Sequence, residues 1–245
     1  MTGLDAGRVR AVIRKELQDY RRKRSIVVTM AVLPLLFLVE PIVTIFLVPR
    51  TTAITGANTY VILPLLYLLL IPSVMPSTLA AYSVVGEREQ GTLEPVLTTP
   101  IHPDEFLIGK ALAAFLPTLV VAYVIFGIFL GATAAFAHPA VASAVFERDH
   151  LLIQLLFTPL VAGWSIWAGI AISTRMSDVR AAQQLTVLAS LPPVAIVALM
   201  NFNVITPSLG LALGLAGALL LIDGMAWRFV AAMFDRERLV TGTRS

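Results

Sequence analysis

Residues 111–136 read ALAAFLPTLVVAYVIFGIFLGATAAF, 26 consecutive positions without a charged side chain, and this run decides the fold. A bilayer core about 30 Å thick is crossed by about 20 apolar residues at 1.5 Å each, whereas a surface helix of a soluble domain keeps a polar stripe for water. Five other stretches reach or approach that length: Ser25 to Val48, Tyr60 to Val85, Leu151 to Ser173, Leu185 to Phe202 and Leu209 to Val230. The composition agrees, with 58% of the 245 residues hydrophobic, 13% charged and a mean hydropathy of +0.85. An average soluble domain is roughly 45–50% apolar. The expected fold is an all-α membrane protein with six transmembrane helices and little chain left for a soluble domain. The fifth span carries Pro192-Pro193 and is expected to be bent or split, which neighbouring helices can accommodate.

Charge placement orients these spans. Of 18 Lys and Arg, eight precede the first span, two lie between Gly86 and Lys110, two between Thr174 and Ala182, and four from Arg228 onward. Only Arg50 and Arg148 fall on the other side. The positive-inside rule then puts both termini in the cytoplasm. It divides the chain into a cytoplasmic arm (1–24), a membrane domain (25–234) with a cytoplasmic loop at 86–110, and a cytoplasmic tail (235–245). The first span follows Arg21, Arg22, Lys23 and Arg24, as a signal peptide would, but its 24 residues exceed a signal core of about 7–15. It reads as a retained span.

In the arm, Val9, Val12, Ile13, Leu17 and Tyr20 recur at helical spacing over an arc of about 140°, with Arg10, Arg14 and Arg21 outside it. This is the pattern of an amphipathic helix lying in the headgroup plane, its basic residues facing anionic lipid. Glu16 falls inside the apolar arc and runs against that reading. The plainer alternative is a solvated basic arm that sets topology only.

The most specific segment is the loop Gly86-Glu87-Arg88-Glu89-Gln90-Gly91-Thr92-Leu93-Glu94-Pro95-Val96-Leu97-Thr98-Thr99-Pro100. Gly91 suits the left-handed residue that ends a helix, and Thr92 suits an N-cap. Leu93, Val96 and Leu97 would share one face of a short helix, which Pro100 disfavours continuing. Pro103, Asp104 and Glu105 then suit the start of the next helix.

This ordered string resembles the signature of type 2 ABC-transporter permeases, and the six-span layout extends the resemblance over nearly the whole chain. The resemblance implies that Glu87, Arg88, Glu89, Gly91, Thr92, Leu93, Glu94 and Leu97 meet a cytoplasmic P-loop ATPase. It also implies ATP and Mg²⁺ on that partner rather than on this chain, a second permease subunit of the same or similar sequence, and a multi-pass place in the cell membrane. Such permeases mostly export, and the short outer connections favour a small or amphiphilic cargo.

An enzyme is not expected. No cysteine is present, H-E-x-x-H is absent, and Gly163-Trp164-Ser165-Ile166-Trp167 lacks the last glycine of G-x-S-x-G. Gly109-Lys110 lacks the rest of a P-loop, so the chain has no nucleotide-binding motif of its own. His102, His138 and His150 are not spaced as metal ligands, and no nucleic-acid partner is expected.

Inside the membrane, Glu40 stands at the sixteenth position of the first span, roughly 12 Å from its outer end. A carboxylate there faces protein or water, either on a substrate path or paired with a neighbouring helix. It supports the alternative of an ion-coupled secondary transporter or channel. A membrane scaffold for an ATPase is a third reading. Asp223, beside Trp227 and Arg228, reads as structural, and the Gly127/Gly131 and Gly210/Gly214 spacings allow packing within or between subunits.

Overall fold

The computed structural model describes residues 4–47, 54–89, 91, 101–201 and 209–233. These residues form eight helices: α1 (Ala6–Arg22), α2 (Arg24–Leu47), α3 (Ile54–Glu89), α4 (Pro103–Phe136), α5 (Pro139–Val145), α6 (Arg148–Arg175), α7 (Val179–Asn201) and α8 (Leu209–Met233). Among them six are long and apolar enough to cross a membrane, within 26–47, 61–87, 103–136, 148–175, 179–199 and 210–230.

The helices overrun the apolar stretches that announce them. α3 runs on to Glu89, α4 begins eight residues before Ala111, and α7 begins six before Leu185. Polar residues continue a helix once its apolar face has a partner, so hydropathy marks the membrane core and not the helix. α5 lies within 137–150, a segment that hydropathy marks only as a connection. His138 caps it by accepting the Ala140 N–H at Nδ1, 3.3 Å away, and Pro139 occupies the first helical position.

α7 is one continuous helix through Pro192 and Pro193, not a split one. Proline 193 removes the N–H that would bond the Ala189 carbonyl. Trp164 of α6 takes that role, its Nε1–H donating to Ala189 O at 2.8 Å. Beside it, the Ser73 hydroxyl of α3 donates to Ser190 O at 3.1 Å, and Ser165 of α6 donates to Ser73 O. Two serines and a tryptophan thus join α3, α6 and α7 where proline interrupts the ladder.

α3 is the central element, packed against α2, α4, α5, α6 and α7. Its Val61, Leu69, Ile71, Met75, Leu79 and Val84 are fully buried. α6 lies closest to it because Gly169 presents no side chain: a Cβ there would stand 2.5 Å from Ala80 Cβ and 2.9 Å from Thr186 Cγ2. α2 and α8 are peripheral, exposing Val28, Leu36 and Phe46, and Leu220, Leu221 and Phe229. Gly163 of α6 makes room for the Asp223 carboxyl of α8, a packing role. Gly127, Gly131, Gly210 and Gly214 meet no described atom within 4 Å of an added Cβ, so they do not serve packing within the described residues.

At one end of the bundle, Val230 of α8 shares a buried cluster with Val12 and Tyr20 of α1, Phe106 and Leu107 of α4, and Val84 of α3. The first and last described helices therefore both contribute to the packing at the same end.

A contrast between two glycines follows. Gly169→Ala is expected to cost about 1–3 kcal/mol by overpacking three helices, whereas Gly127→Ala stays within about 0.5 kcal/mol. Thermal unfolding of both variants in detergent measures the difference.

Candidate functional site

The acidic loop has two stems, the end of α3 and the start of α4, and α1 lies against both. Its first contact is at the α4 N-terminus. Glu105, 1% exposed, accepts the His102 N–H at 3.1 Å, so the third helical residue caps its own helix. The same carboxylate accepts the Asp5 N–H at 2.9 Å and faces Arg8 Nη1 at 3.4 Å. Asp5 in turn caps α1, its Oδ1 accepting the Gly7 N–H at 2.7 Å. One glutamate thereby starts α4 and holds the beginning of α1.

One turn further along α4, Gly109 lets α1 approach. A Cβ at Gly109 would lie 2.7 Å from Val12 Cβ and 3.3 Å from the Val9 carbonyl oxygen. Next to it is Lys110, a fully buried cation at 2% exposure. Its Nζ lies 2.9 Å from Glu16 Oε1 of α1 and 3.1 Å from Glu87 Oε1 of α3. It also stands over the Phe106 ring, 4.8 Å from the centroid. Lys15 of α1 closes the group from outside, contacting Glu87 directly, Glu16 at 3.1 Å and Asp19 at 3.7 Å. Two lysines and three carboxylates thus tie three helices together at the base of the loop.

The electrostatics follow from this mutual neutralisation. Burial alone raises the Glu16 carboxyl, but Lys110 and Lys15 outweigh it and hold it below its ordinary 4.5. Partial burial of Lys15 favours the neutral amine, yet Glu16 and Glu87 dominate and push its pKa up. Buried Tyr20, close to the same carboxylates, is pushed well above 10.0 by desolvation first and then by Glu16 and Glu87.

The α3 stem is secured separately. Gly91 has φ 66°, the left-handed conformation expected where the helix ends. Exposed Glu89 accepts the Val179 N–H at 3.3 Å, capping the first turn of α7. The Ser173 hydroxyl of α6 accepts the N–H groups of Val84 and Val85 at 3.1 and 3.0 Å. The connection between α6 and α7 is therefore attached to the same stem.

Of the residues read as ATPase contacts, Glu87 is turned inward at 7% exposure and engaged by both lysines. Glu89 and Gly91 are exposed. Thr92, Leu93, Glu94 and Leu97 lie outside the described residues, as does the side chain of Arg88. The arm's apolar arc is spent on the protein: Val12 and Tyr20 are buried against α3 and α4, and Ile13 and Leu17 pack on the same cluster. Glu16 belongs in that arc because Lys110 faces it. Arg10, Arg14, Arg21, Arg22 and Arg24 are exposed, and Lys23 is half-buried. Glu40 stands apart from this site, its Oε1 accepting the Thr44 hydroxyl at 2.7 Å. No group of three or more potential metal ligands occurs among the described residues.

Lys110 itself is the residue that sequence reasoning missed. Two signals pointed to it: a lone cation abutting the charge-free run, and a lone acid inside the apolar arc of the arm. Each is unfavourable alone, and the two opposite charges resolve each other.

A family model described as ABC-2 family transporter protein matches residues 10–232. No curated protein sequence matches the chain. The matched region takes in α1 from Arg10, both stems of the loop and nearly all of α8.

Replacing Lys110 with Met leaves Glu16 and Glu87 facing each other without their buried cation, at an expected cost of about 3–5 kcal/mol. Adding Glu16→Gln should recover part of that loss, read as melting temperatures of the single and double variants. Because the folded Glu16 pKa is depressed, its stabilising contribution is present above 4.5 and disappears as pH falls through the lower folded value. Melting temperature should therefore drop with acidification below 4.5, and less steeply in Glu16→Gln.

Proposed function

Because the chain belongs to the ABC-2 transporter family of membrane transport components, we propose that it is the permease subunit of an ATP-driven transporter powered by a separate P-loop ATPase. The observation that carries this reading is the family match over residues 10–232 together with a loop whose two stems are held by one ion-pair group. ATP and Mg²⁺ belong to the partner. The α1 end of the bundle faces the cytoplasm, in keeping with the clustering of Lys and Arg there. Two permease subunits, identical or similar, enclose the path, and a small or amphiphilic substrate is exported between them.

In this reading the loop itself meets the ATPase, through Glu89 at the α3 stem and through Thr92, Leu93, Glu94 and Leu97 beyond it. Glu87 acts one step further in. Its carboxylate joins the stem to Lys110 and Lys15, so that force on the loop reaches α1 and α4 together. Glu89 passes the same displacement to α7 through the Val179 N–H.

A second reading rests on Glu40. Its Oε2 is buried and has no hydrogen-bond partner among the described residues. A carboxyl so placed in a membrane helix is costly when ionised. It would serve as the ion-binding group of a gradient-driven transporter.

Affinity purification in mild detergent, with mass spectrometry and an ATPase assay on the eluate, separates the two. The permease reading predicts an equimolar P-loop ATPase. A stable ATPase-free eluate that moves ions in liposomes, and stops doing so in Glu40→Gln, would establish the second reading instead.

The loop's part has its own test. Leu93→Asp with Leu97→Asp is expected to weaken ATPase retention by about thirtyfold, the scale of losing an interface anchor worth about 2 kcal/mol, without shifting the permease melting temperature. Undiminished retention would remove these leucines from the interface.

A further inference from the structure

The six apolar stretches of the sequence hold three charged side chains between them, Glu40, Asp223 and Arg228. Arg228 stands near the end of its stretch and is exposed, its guanidinium 5.5 Å from the centre of the Trp227 ring. It forms no ion pair with Asp223. Asp223 lies deeper in α8, seven residues before Val230, which is about 10 Å along the helix axis from the cluster shared with α1 and α4. Its Oδ1 is buried and has no hydrogen-bond partner among the described residues. A candidate membrane span thus carries a carboxyl that meets no countercharge among the described residues. An ionisable group in such a position marks a substrate or ion site before it marks a packing position.

The surroundings select the class of ligand. Gly163 of α6 opens the space, since an added Cβ there would stand 2.5 Å from Asp223 Oδ2 and 3.0 Å from its Cγ. Four residues further along each helix comes an indole, Trp167 on α6 and Trp227 on α8, both half-buried. Four residues make about one helical turn, so each indole shares a face with the residue before it. Both helices advance towards the same end, because Trp167 packs against the cluster that contains Val230. One turn nearer the α1 end than the carboxyl, α6 and α8 therefore each supply an aromatic side chain. Gly224, next to Asp223, is exposed and has no described atom within 4 Å of an added Cβ, which leaves the flank of the carboxyl open.

We propose that Asp223, Trp167 and Trp227 form a binding site for a lipophilic organic cation, a quaternary ammonium or phosphonium centre on an apolar body, and that the transported cargo is of this class. The carboxylate supplies the countercharge, and the indole faces attract the cationic centre while packing against the apolar body. A small hard cation does not fit, because it takes about six or more oxygen ligands, whereas no group of three or more potential metal ligands occurs among the described residues. The assignment as cargo rests on the permease reading given above. Binding at Asp223 does not.

The test is equilibrium binding of tetraphenylphosphonium to the full chain in phosphatidylcholine nanodiscs, with tetraphenylborate as the anion of the same shape. Asp223→Asn should lower phosphonium affinity by at least about tenfold, the low end for a close charge pair. Tetraphenylborate should bind the variant no less well than the wild type. Trp167→Leu and Trp227→Leu should each weaken phosphonium binding by about threefold. Asp149→Asn, at an exposed carboxyl near the start of α6, should have no effect.

Undiminished phosphonium affinity in Asp223→Asn, or an equal loss for both ions, would overturn the proposal. Should that variant fail to fold, the wild-type protein decides through a photoactivatable phosphonium. Saturable labelling of the peptides that contain 163–167 and 223–227 supports the site, and labelling elsewhere or none overturns it. A chain that binds the cation at Asp223 but purifies without an ATPase keeps the site and removes the permease reading. A complex with its ATPase that binds no phosphonium keeps the permease reading and removes the site. In that complex tetraphenylphosphonium should stimulate ATP hydrolysis in the wild type and not in Asp223→Asn; absence of stimulation in the wild type overturns the cargo assignment.

Discussion

A single ammonium group holds the loop end of this molecule together. Lys110 is buried between a glutamate of α1 and a glutamate of α3, with its own backbone in α4. Removing a charge from water costs several kcal/mol unless its partners are close and correctly placed. The three helices are thereby restricted to an arrangement in which Glu16, Glu87 and Lys110 meet. Gly109 makes that approach possible, and Lys15 neutralises the carboxylate charge that Lys110 leaves over. Buried Tyr20 packs at this same end, and Glu105 and Glu89 add their own attachments of α1 and α7 to the two stems.

The bundle is joined differently in its interior. There the bonds between α3, α6 and α7 are neutral: Ser73 to Ser190, Ser165 to Ser73, and Trp164 to the carbonyl freed by Pro193. Neutral hydrogen bonds suit the hydrocarbon depth, where an ion pair would be far more costly to desolvate. Ion pairs are placed instead at the loop end of the bundle, where one flank of the group is open through half-exposed Lys15. The chain thus uses a charged joint at the loop end and polar uncharged joints in the interior of the bundle. Glu89 and Ser173 connect the two regions by tying the α3 stem to α7 and α6.

Much of this was legible in the sequence. The charge-free run at 111–136 and its five companions gave the helical class and the number of candidate spans, because hydropathy over about 20 residues reports the membrane directly. Gly91 ends α3 in the left-handed conformation and Pro103 opens α4, both local effects that local sequence encodes. Tertiary pairing was not legible in this way. Glu87 reads as a solvent-facing acid of a polar loop until Lys15, 72 residues earlier, is brought beside it. The apolar arc of the arm looks ready for lipid, because periodicity tells which face is buried but not what buries it. Similarly, Pro192-Pro193 reads as a break until Trp164 supplies the missing donor.

The central claim is that α1 and the two loop stems move as one body. The chain has no cysteine, so spin labels can be placed at Gln18→Cys and Leu116→Cys, both exposed sites on α1 and α4, without removing any native thiol. Pulsed electron–electron resonance would then compare their separation in the nucleotide-free and ATP-bound states of a complex that hydrolyses ATP. The account predicts the same distance distribution in both states. A distribution that shifts on ATP binding would mean that α1 slides on α4, and that the Lys110 ion pairs are not the rigid joint described above.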